Sequence, residues 1–168
     1  DEHFNLIGQA KKILDLGAAP GGWLQIAKAR AHNPKIIIGL DLLPIEPIDK
    51  ITLIQADFFD LEIDQHIKKT GYEKFDLILC DMASNATGHA KTDHLRAEML
   101  SEAVFDFSLE RLEPNAHLVM KVFAGGIGRE LLVQMRGVFD KVRHYKPPSS
   151  RKRSAEIYLI ASHFFKTL

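Results

Sequence analysis

Three features of the 168-residue sequence predict an α/β fold, a single doubly wound and mostly parallel sheet. Short apolar runs alternate with stretches of helical periodicity, the pattern of successive strand–helix–strand units. The first run, Ile13 to Leu16, leads into Gly17-Ala18-Ala19-Pro20-Gly21-Gly22-Trp23, a glycine turn that opens a helix. Four runs close at or beside an aspartate: Asp15, Asp41, Asp57 and Asp81. In open α/β sheets the carboxyl ends of the parallel strands share one rim, and ligands bind there.

The elements follow in order. Asp1 to Lys12 is the end of a helix or a loop leading into the first strand, Ile13 to Leu16. Trp23 to Arg30 is helical, and Asn33-Pro34 stops it. Lys35 to Leu40, apolar on both faces, reads as a central parallel strand. Pro44 and Pro47 make a loop; Ile51 to Gln55 is the third strand and Ile63 to Thr70 a short helix. Phe75 to Cys80 is the fourth strand, and the small polar stretch Ala83 to Lys91 a loop. Asp93 to Leu112 is the longest helix, with apolar spacing along Leu95, Met99, Val104 and Leu109. Glu113-Pro114-Asn115 reads as a turn before a fifth strand, His117 to Phe123. Gly125, Gly126 and Gly128 break that strand, and Arg129 to Phe139 is the next helix. Lys141 to Tyr145 and Ala155 to Ser162 are the last strands, an antiparallel pair around the loop Pro147 to Arg153. No repeat, linker or low-complexity segment interrupts the chain, so residues 1–168 form one domain.

Composition narrows the function. A hydrophobic content of 46% can furnish one core. No apolar run is long enough to span a bilayer, and no secretory pattern stands at the start. The single cysteine, Cys80, lies in an apolar run and reads as a buried thiol in a reducing, cytoplasmic protein. Eight histidines without cysteine pairs or ligand spacing argue against zinc or any required metal. Formal net charge is zero, but its distribution is uneven. Lys141 to Arg153 holds six lysines or arginines and no acid, whereas Asp41 to Asp64 is strongly acidic. The asymmetry suggests a cationic ligand on one side and a polyanion on another.

The glycine turn departs from the dinucleotide fingerprint G-x-G-x-x-G: alanine replaces its second glycine, and Pro20 stiffens the loop. No basic residue between Gly17 and Trp23 would meet a pyrophosphate. A nucleoside with an amino-acid tail, S-adenosylmethionine, fits better. Its sulfonium and ammonium suit carboxylates at the rim. Asp41, after the second strand, is placed to accept hydrogen bonds from ribose hydroxyls. Asp15 reads as a cap or a brace of the turn. Gly17, Gly21 and Gly22 let backbone approach the ligand. Leu42 and Phe58 are candidates for gripping an adenine ring, and Trp23 either lines the cofactor pocket or packs in the core.

Asp15-Leu16-Gly17-Ala18-Ala19-Pro20-Gly21-Gly22-Trp23 resembles the first motif of the FtsJ (RrmJ) ribose 2′-O-methyltransferases. The resemblance continues through Asp41-Leu42-Leu43-Pro44, Asp57-Phe58, Asp81-Met82-Ala83, Lys121-Val122-Phe123, Ser149-Ser150-Arg151 and Glu156-Ile157-Tyr158, covering nearly the whole chain. It implies a Rossmann-like S-adenosylmethionine-dependent methyltransferase fold, with Asp57 near the adenine amino group and Asp81 near the methionine end. It also implies a catalytic Lys121 in a Lys-Asp-Lys-Glu set with Asp81 and Glu156. The residues agree independently on Lys121: an ammonium inside the apolar run Leu118 to Phe123 is costly unless paired. A free lysine amine has a pKa of about 10.4, so proton loss is expected to wait for bound cofactor.

The set's other lysine belongs in a Phe-Lys-Leu context. The nearest pattern, Phe4-Asn5-Leu6, carries asparagine. The expectation is an N-terminal segment ahead of Asp1 that holds the lysine. On the substrate side Lys146, Arg151, Lys152 and Arg153, with Lys141, Arg143 and the stacking face of Tyr145, are expected to track RNA phosphates. The reading is a monomeric enzyme that methylates a ribose 2′-oxygen in RNA, most closely a uridine of 23S ribosomal RNA in the large subunit. Alternatives are a family relative acting on transfer RNA or messenger caps, and a non-catalytic cofactor-binding RNA module in ribosome assembly. A small-molecule methyltransferase would leave the basic loop without a purpose.

Overall fold

A computed structural model describes residues 4–84, 86–123, 127–148 and 156–165. A one-turn helix, α1 (Leu6–Gln9), precedes β1 (Lys12–Leu16), α2 (Gly22–Arg30), β2 (Ile36–Asp41) and β3 (Thr52–Gln55). Then come α3 (Ile63–Lys68), β4 (Phe75–Cys80), α4 (Ala90–Leu109), β5 (Leu112–Phe123), α5 (Arg129–Arg136), β6 (Phe139–Tyr145) and β7 (Glu156–Phe164). The seven strands form one sheet in the order β3-β2-β1-β4-β5-β7-β6. The first five are parallel; β7 runs antiparallel to both neighbours, β5 and β6. Strand order reverses between β1 and β4, the topological switch point at which such sheets bind ligands.

Side chains alternate across the sheet. Leu14, Leu16, Ile38, Ile78, Leu118 and Met120 face the larger core, which includes Phe105 of α4 and Met135 of α5. Ile13, Ile37, Leu77 and Leu79 face the smaller core with Leu24 and Ala27 of α2. Fully burying a Leu or Ile contributes about 1.5–3 kcal/mol, so the continuous apolar strands dominate the fold's stability. The two-residue period places Asp15, Asp41, Asp81, Lys121 and Tyr158 on the α2 side of the sheet, toward the carboxyl ends of β1, β2, β4 and β5 and the start of β7.

The element order matches the sequence reading, with four local corrections. Glu113-Pro114-Asn115 lies inside β5, not in a turn. The ladder shifts there: Phe75 pairs with Leu112 but Leu77 with His117, and Asn115 adopts φ 65°. The extra residues form a bulge, where proline's missing N–H leaves no ladder bond unmade. α4 starts at Ala90, ahead of Asp93. The Asp93 carboxylate accepts hydrogen bonds from the Thr87 N–H at 2.7 Å, the Thr87 hydroxyl at 2.6 Å and the Gly88 N–H at 3.2 Å, tying the preceding loop to the first turn. α5 stops before Gly137, so Phe139 begins β6. β7 extends to Phe164, because Phe139 pairs with Phe164 at its end.

Candidate active site

The turn after β1 is built for close approach. The N–H groups of Gly17 and Ala18 both donate to the Leu40 carbonyl, at 2.9 and 3.1 Å. Gly17 has φ 75°, and a Cβ there would stand 2.5 Å from the Met82 side chain and 2.8 Å from its backbone nitrogen. Glycine therefore lets the β1 and β4 ends meet. Gly21, with φ 109°, stands at the N-cap just ahead of α2, while a Cβ on Gly22 would meet nothing within 4 Å. The space beside Gly22 is open.

Asp41 holds this loop. Its carboxylate accepts hydrogen bonds from the Ala19 N–H and the Leu43 N–H, both at 2.8 Å. Each oxygen keeps a second lone pair able to accept a further hydrogen bond. Asp57 accepts from the Phe59 N–H at 2.9 Å and closes its own turn after β3. Leu42 stands exposed on the rim. Phe58 does not face it. The Phe58 ring is buried in the larger core, 5.0 Å from Phe107 and 5.1 Å from Phe59, because burying an aromatic ring outweighs leaving it at the rim. The expected adenine grip between Leu42 and Phe58 therefore has no matching pair of open faces.

Lys121 sits where the sequence placed it, in a buried strand, with its side chain 11% exposed. Its Nζ donates to the Asp81 backbone carbonyl at 2.7 Å and lies 3.3 Å from the Asp81 carboxylate, whose side chain is 34% exposed. Pairing offsets the cost of taking the ammonium out of water. Tyr158, directly opposite Lys121 in the β5–β7 ladder, points its hydroxyl at the same carboxylate in a long contact of 3.4 Å. Burial, then the charges of Asp81 and Glu156, hold the Tyr158 hydroxyl up to about 12. It stays a donor near neutrality. Glu156 is exposed at the first position of β7, on the same face as Tyr158.

Asp15 differs from the sequence reading. It caps nothing and braces nothing: it is 0% exposed, and neither carboxylate oxygen has a hydrogen-bond partner. Burial, then the charges of Asp81 and Asp41, push its carboxyl up to about 8. Sequence reasoning missed Asp15 and Tyr158. The two-residue period was the available signal, since it puts Asp15 on the face of Asp41 and Asp81, and Tyr158 on the face of Glu156.

Trp23 packs its ring 5.5 Å from Tyr158, tilted by 40°. Both border an apolar groove of about 270 Å³ that continues along Phe4, Leu6, Ile26, Val119, Tyr145 and Ile160. Lys146 is exposed just beyond Tyr145. Arg151, Lys152 and Arg153 lie outside the described residues. Cys80 is buried, and burial pushes its thiol up to about 12, as expected for a thiol packed in the core. Among the described residues no helix is long and apolar enough to cross a membrane.

A sequence profile described as FtsJ-like methyltransferase matches residues 1–164. The chain belongs to the FtsJ-like methyltransferase family. A curated relative from Gluconobacter oxydans, named Ribosomal RNA large subunit methyltransferase E, is 44% identical over 98% of this chain and 60% of its own length. The protein of the same name from Novosphingobium aromaticivorans is 46% identical over 98% of this chain and 73% of its own. The chain thus spans about 60% of one of these relatives and about three quarters of the other. A crystal structure from Plasmodium falciparum, described as a ribosomal RNA methyltransferase, superposes with a TM-score of 0.86 at 28% identity. It covers 99% of this chain, which covers 93% of it. A fibrillarin/Nop5p complex matches with a TM-score of 0.62 at 20% identity, over 92% of this chain and 73% of that one, a likeness of fold alone. The observed sheet is thus the doubly wound one that the glycine turn and strand-end aspartates predicted, and the matched family is the one the motif resemblance implied.

Proposed function

We propose that this FtsJ-like protein transfers the methyl group of S-adenosylmethionine to the 2′-oxygen of a ribose in RNA, with a uridine of 23S ribosomal RNA as acceptor. The observation that carries the reading is Lys121, a buried ammonium anchored by Asp81 at an acidic sheet rim. The names of the relatives support a large-subunit ribosomal RNA substrate.

The residues fit a cationic nucleoside donor. The rim carries Asp15, Asp41 and Asp81, and the Asp15 carboxyl is an orphaned buried polar group. The open space beside Gly22 accepts a ligand against backbone. Gly17, Gly21, Gly22 and Trp23 would border the methionine tail, Asp41 and Leu42 the ribose, Asp57 and the Phe58 backbone the adenine, and Asp81 the tail's ammonium. When bound, the donor supplies a methyl group on a positively charged sulfur.

The chain's own groups do the rest. Once donor and RNA are both bound, the Lys121 ammonium gives its own proton to solvent; the free amine, pointing at the rim, orients the incoming hydroxyl oxygen and accepts the hydroxyl proton as the methyl transfers. Asp81 fixes the amine from two directions, through its carbonyl and its carboxylate. Tyr158 supports the carboxylate from β7. Glu156, on the same face, faces the acceptor side. Lys146 and the residues Arg151, Lys152 and Arg153 are proposed to hold RNA phosphates, with recognition by shape and by the 2′-hydroxyl. The working form is a metal-free cytoplasmic monomer.

The test is transfer of a labelled methyl group to large-subunit ribosomal RNA, naked or in the assembled particle. The expected label lies on one ribose 2′-oxygen and makes the next phosphodiester resistant to alkali. Label on a base, or transfer only to transfer RNA or capped message, contradicts the reading. Donor binding without transfer to any RNA would favour an assembly module.

A further inference from the structure

Asp15 is, among the described residues, the side chain whose polar atoms are buried with no hydrogen-bond partner. Its backbone pairs with Gly39 of β2 on one side and Leu79 of β4 on the other, and the residue is 0% exposed. Among the described residues, the charged or titratable groups near it are these. β2 brings Asp41 and the end of β4 brings Asp81. Cys80 couples weakly to it, with a thiol that stays protonated. β5 brings Lys121, already paired with Asp81, and β7 brings Tyr158, directed at the same Asp81. α2 contributes Trp23 and Leu24 at this end, and its basic residues Lys28 and Arg30 lie in its last turn. Among the described residues no cation is paired with Asp15.

A buried carboxylate without partners is strongly disfavoured, and the group keeps its proton instead. A positive charge placed beside it reverses the balance. Resting on the donor reading above, we propose that Asp15 is a proton-releasing carboxyl of the donor site: neutral in the free protein, it ionises when a cationic methyl donor enters, and binding expels one proton. The O–H bond of Asp15 breaks, its electron pair stays on the carboxylate, and the proton leaves to solvent. The carboxylate then pairs with the donor's positive charge. The raised affinity of Asp15 for its proton near neutrality, caused first by burial, agrees with this. A neutral nucleoside such as adenosine offers no cation and leaves the proton in place.

The test is calorimetric titration of S-adenosylmethionine into the protein at pH 6.5, in two buffers of different ionisation enthalpy. The expected count is close to one proton released per donor bound, and close to zero for Asp15→Asn. Below neutrality, donor affinity of the wild-type protein should rise about tenfold for each unit by which pH is raised, while the Asp15→Asn profile is flatter. Donor binding by the wild type without proton release, or the same release from Asp15→Asn, overturns the proposal. The wild-type count needs no variant, so misfolding of Asp15→Asn would not spare it. Absence of any donor binding overturns the donor-site reading, and this proposal with it.

Discussion

The two ends of β1 treat charge in opposite ways. At the amino end, Asp76 of β4 accepts hydrogen bonds from the Lys11 and Lys12 N–H groups, at 2.8 and 2.9 Å. The Lys12 amine pairs with Glu113. At the carboxyl end, four strand positions along, Asp15 is buried with no partner. The same two strands thus satisfy a carboxylate at one end and strand one at the other. Satisfied polar groups hold the sheet together, whereas an unsatisfied one costs stability and is tolerated where a ligand completes it. The amino end is architecture and the carboxyl end is chemistry.

Four substitutions sharpen or break this contrast, from the largest effect to the smallest. Asp81→Ala removes the carboxylate that holds Lys121 and Tyr158. Methyl transfer in single-turnover assays should fall by about 10² to 10⁴, the usual worth of a positioned proton acceptor. Thermal stability should change little, because that side chain is partly exposed and the backbone carbonyl still binds Lys121. Asp76→Ala should do the reverse. Two backbone N–H groups lose a charged acceptor, costing about 2–3 kcal/mol, read as a melting temperature lower by about 5–10 °C with the rate per folded molecule unchanged.

Asp15→Asn should stabilise the free protein at high pH. The Asp15 carboxyl is raised to about 8, above its ordinary value of 3.8, so the folded state holds a proton that the unfolded chain has lost. Stability from this group is full below the ordinary value and falls as pH rises toward 8. The difference between wild-type and Asp15→Asn denaturation curves should therefore grow across that window, to on the order of 5 kcal/mol in favour of the variant. A difference independent of pH would contradict a buried protonated Asp15. Glu113→Ala should be the mildest, since partly exposed ion pairs contribute about 0–1 kcal/mol; a shift of more than a few degrees in melting would mean that the amino end is coupled to the rest of the sheet.

Most of the architecture was legible because parallel strands buried on both faces read as unbroken apolar runs, as Ile36 to Leu40 does. The β5 bulge was not, since Glu-Pro-Asn has turn chemistry and only the pairing of Phe75 with Leu112 reveals the strand continuing through it. In the site, Lys121 announced itself as a charge in an apolar run, and Asp81 as a strand-end carboxylate. Phe58 misled because an aromatic beside a rim aspartate has two places to go, and Phe107, nearly fifty positions away, decides between them. Asp15 was hidden for a related reason: a carboxylate's loneliness depends on what neighbouring strands fail to supply. The basic loop from 149 to 155 falls outside the described residues, so its part in the site still rests on charge pattern.

The most direct test of the account measures donor binding and methyl transfer side by side on Lys121→Ala. The account predicts S-adenosylmethionine bound within about threefold of wild-type affinity, a change under 1 kcal/mol, and transfer to ribosomal RNA reduced by about 10² or more. Transfer at the wild-type rate, or a loss accounted for wholly by weakened donor binding, would contradict a lysine that works on the acceptor oxygen.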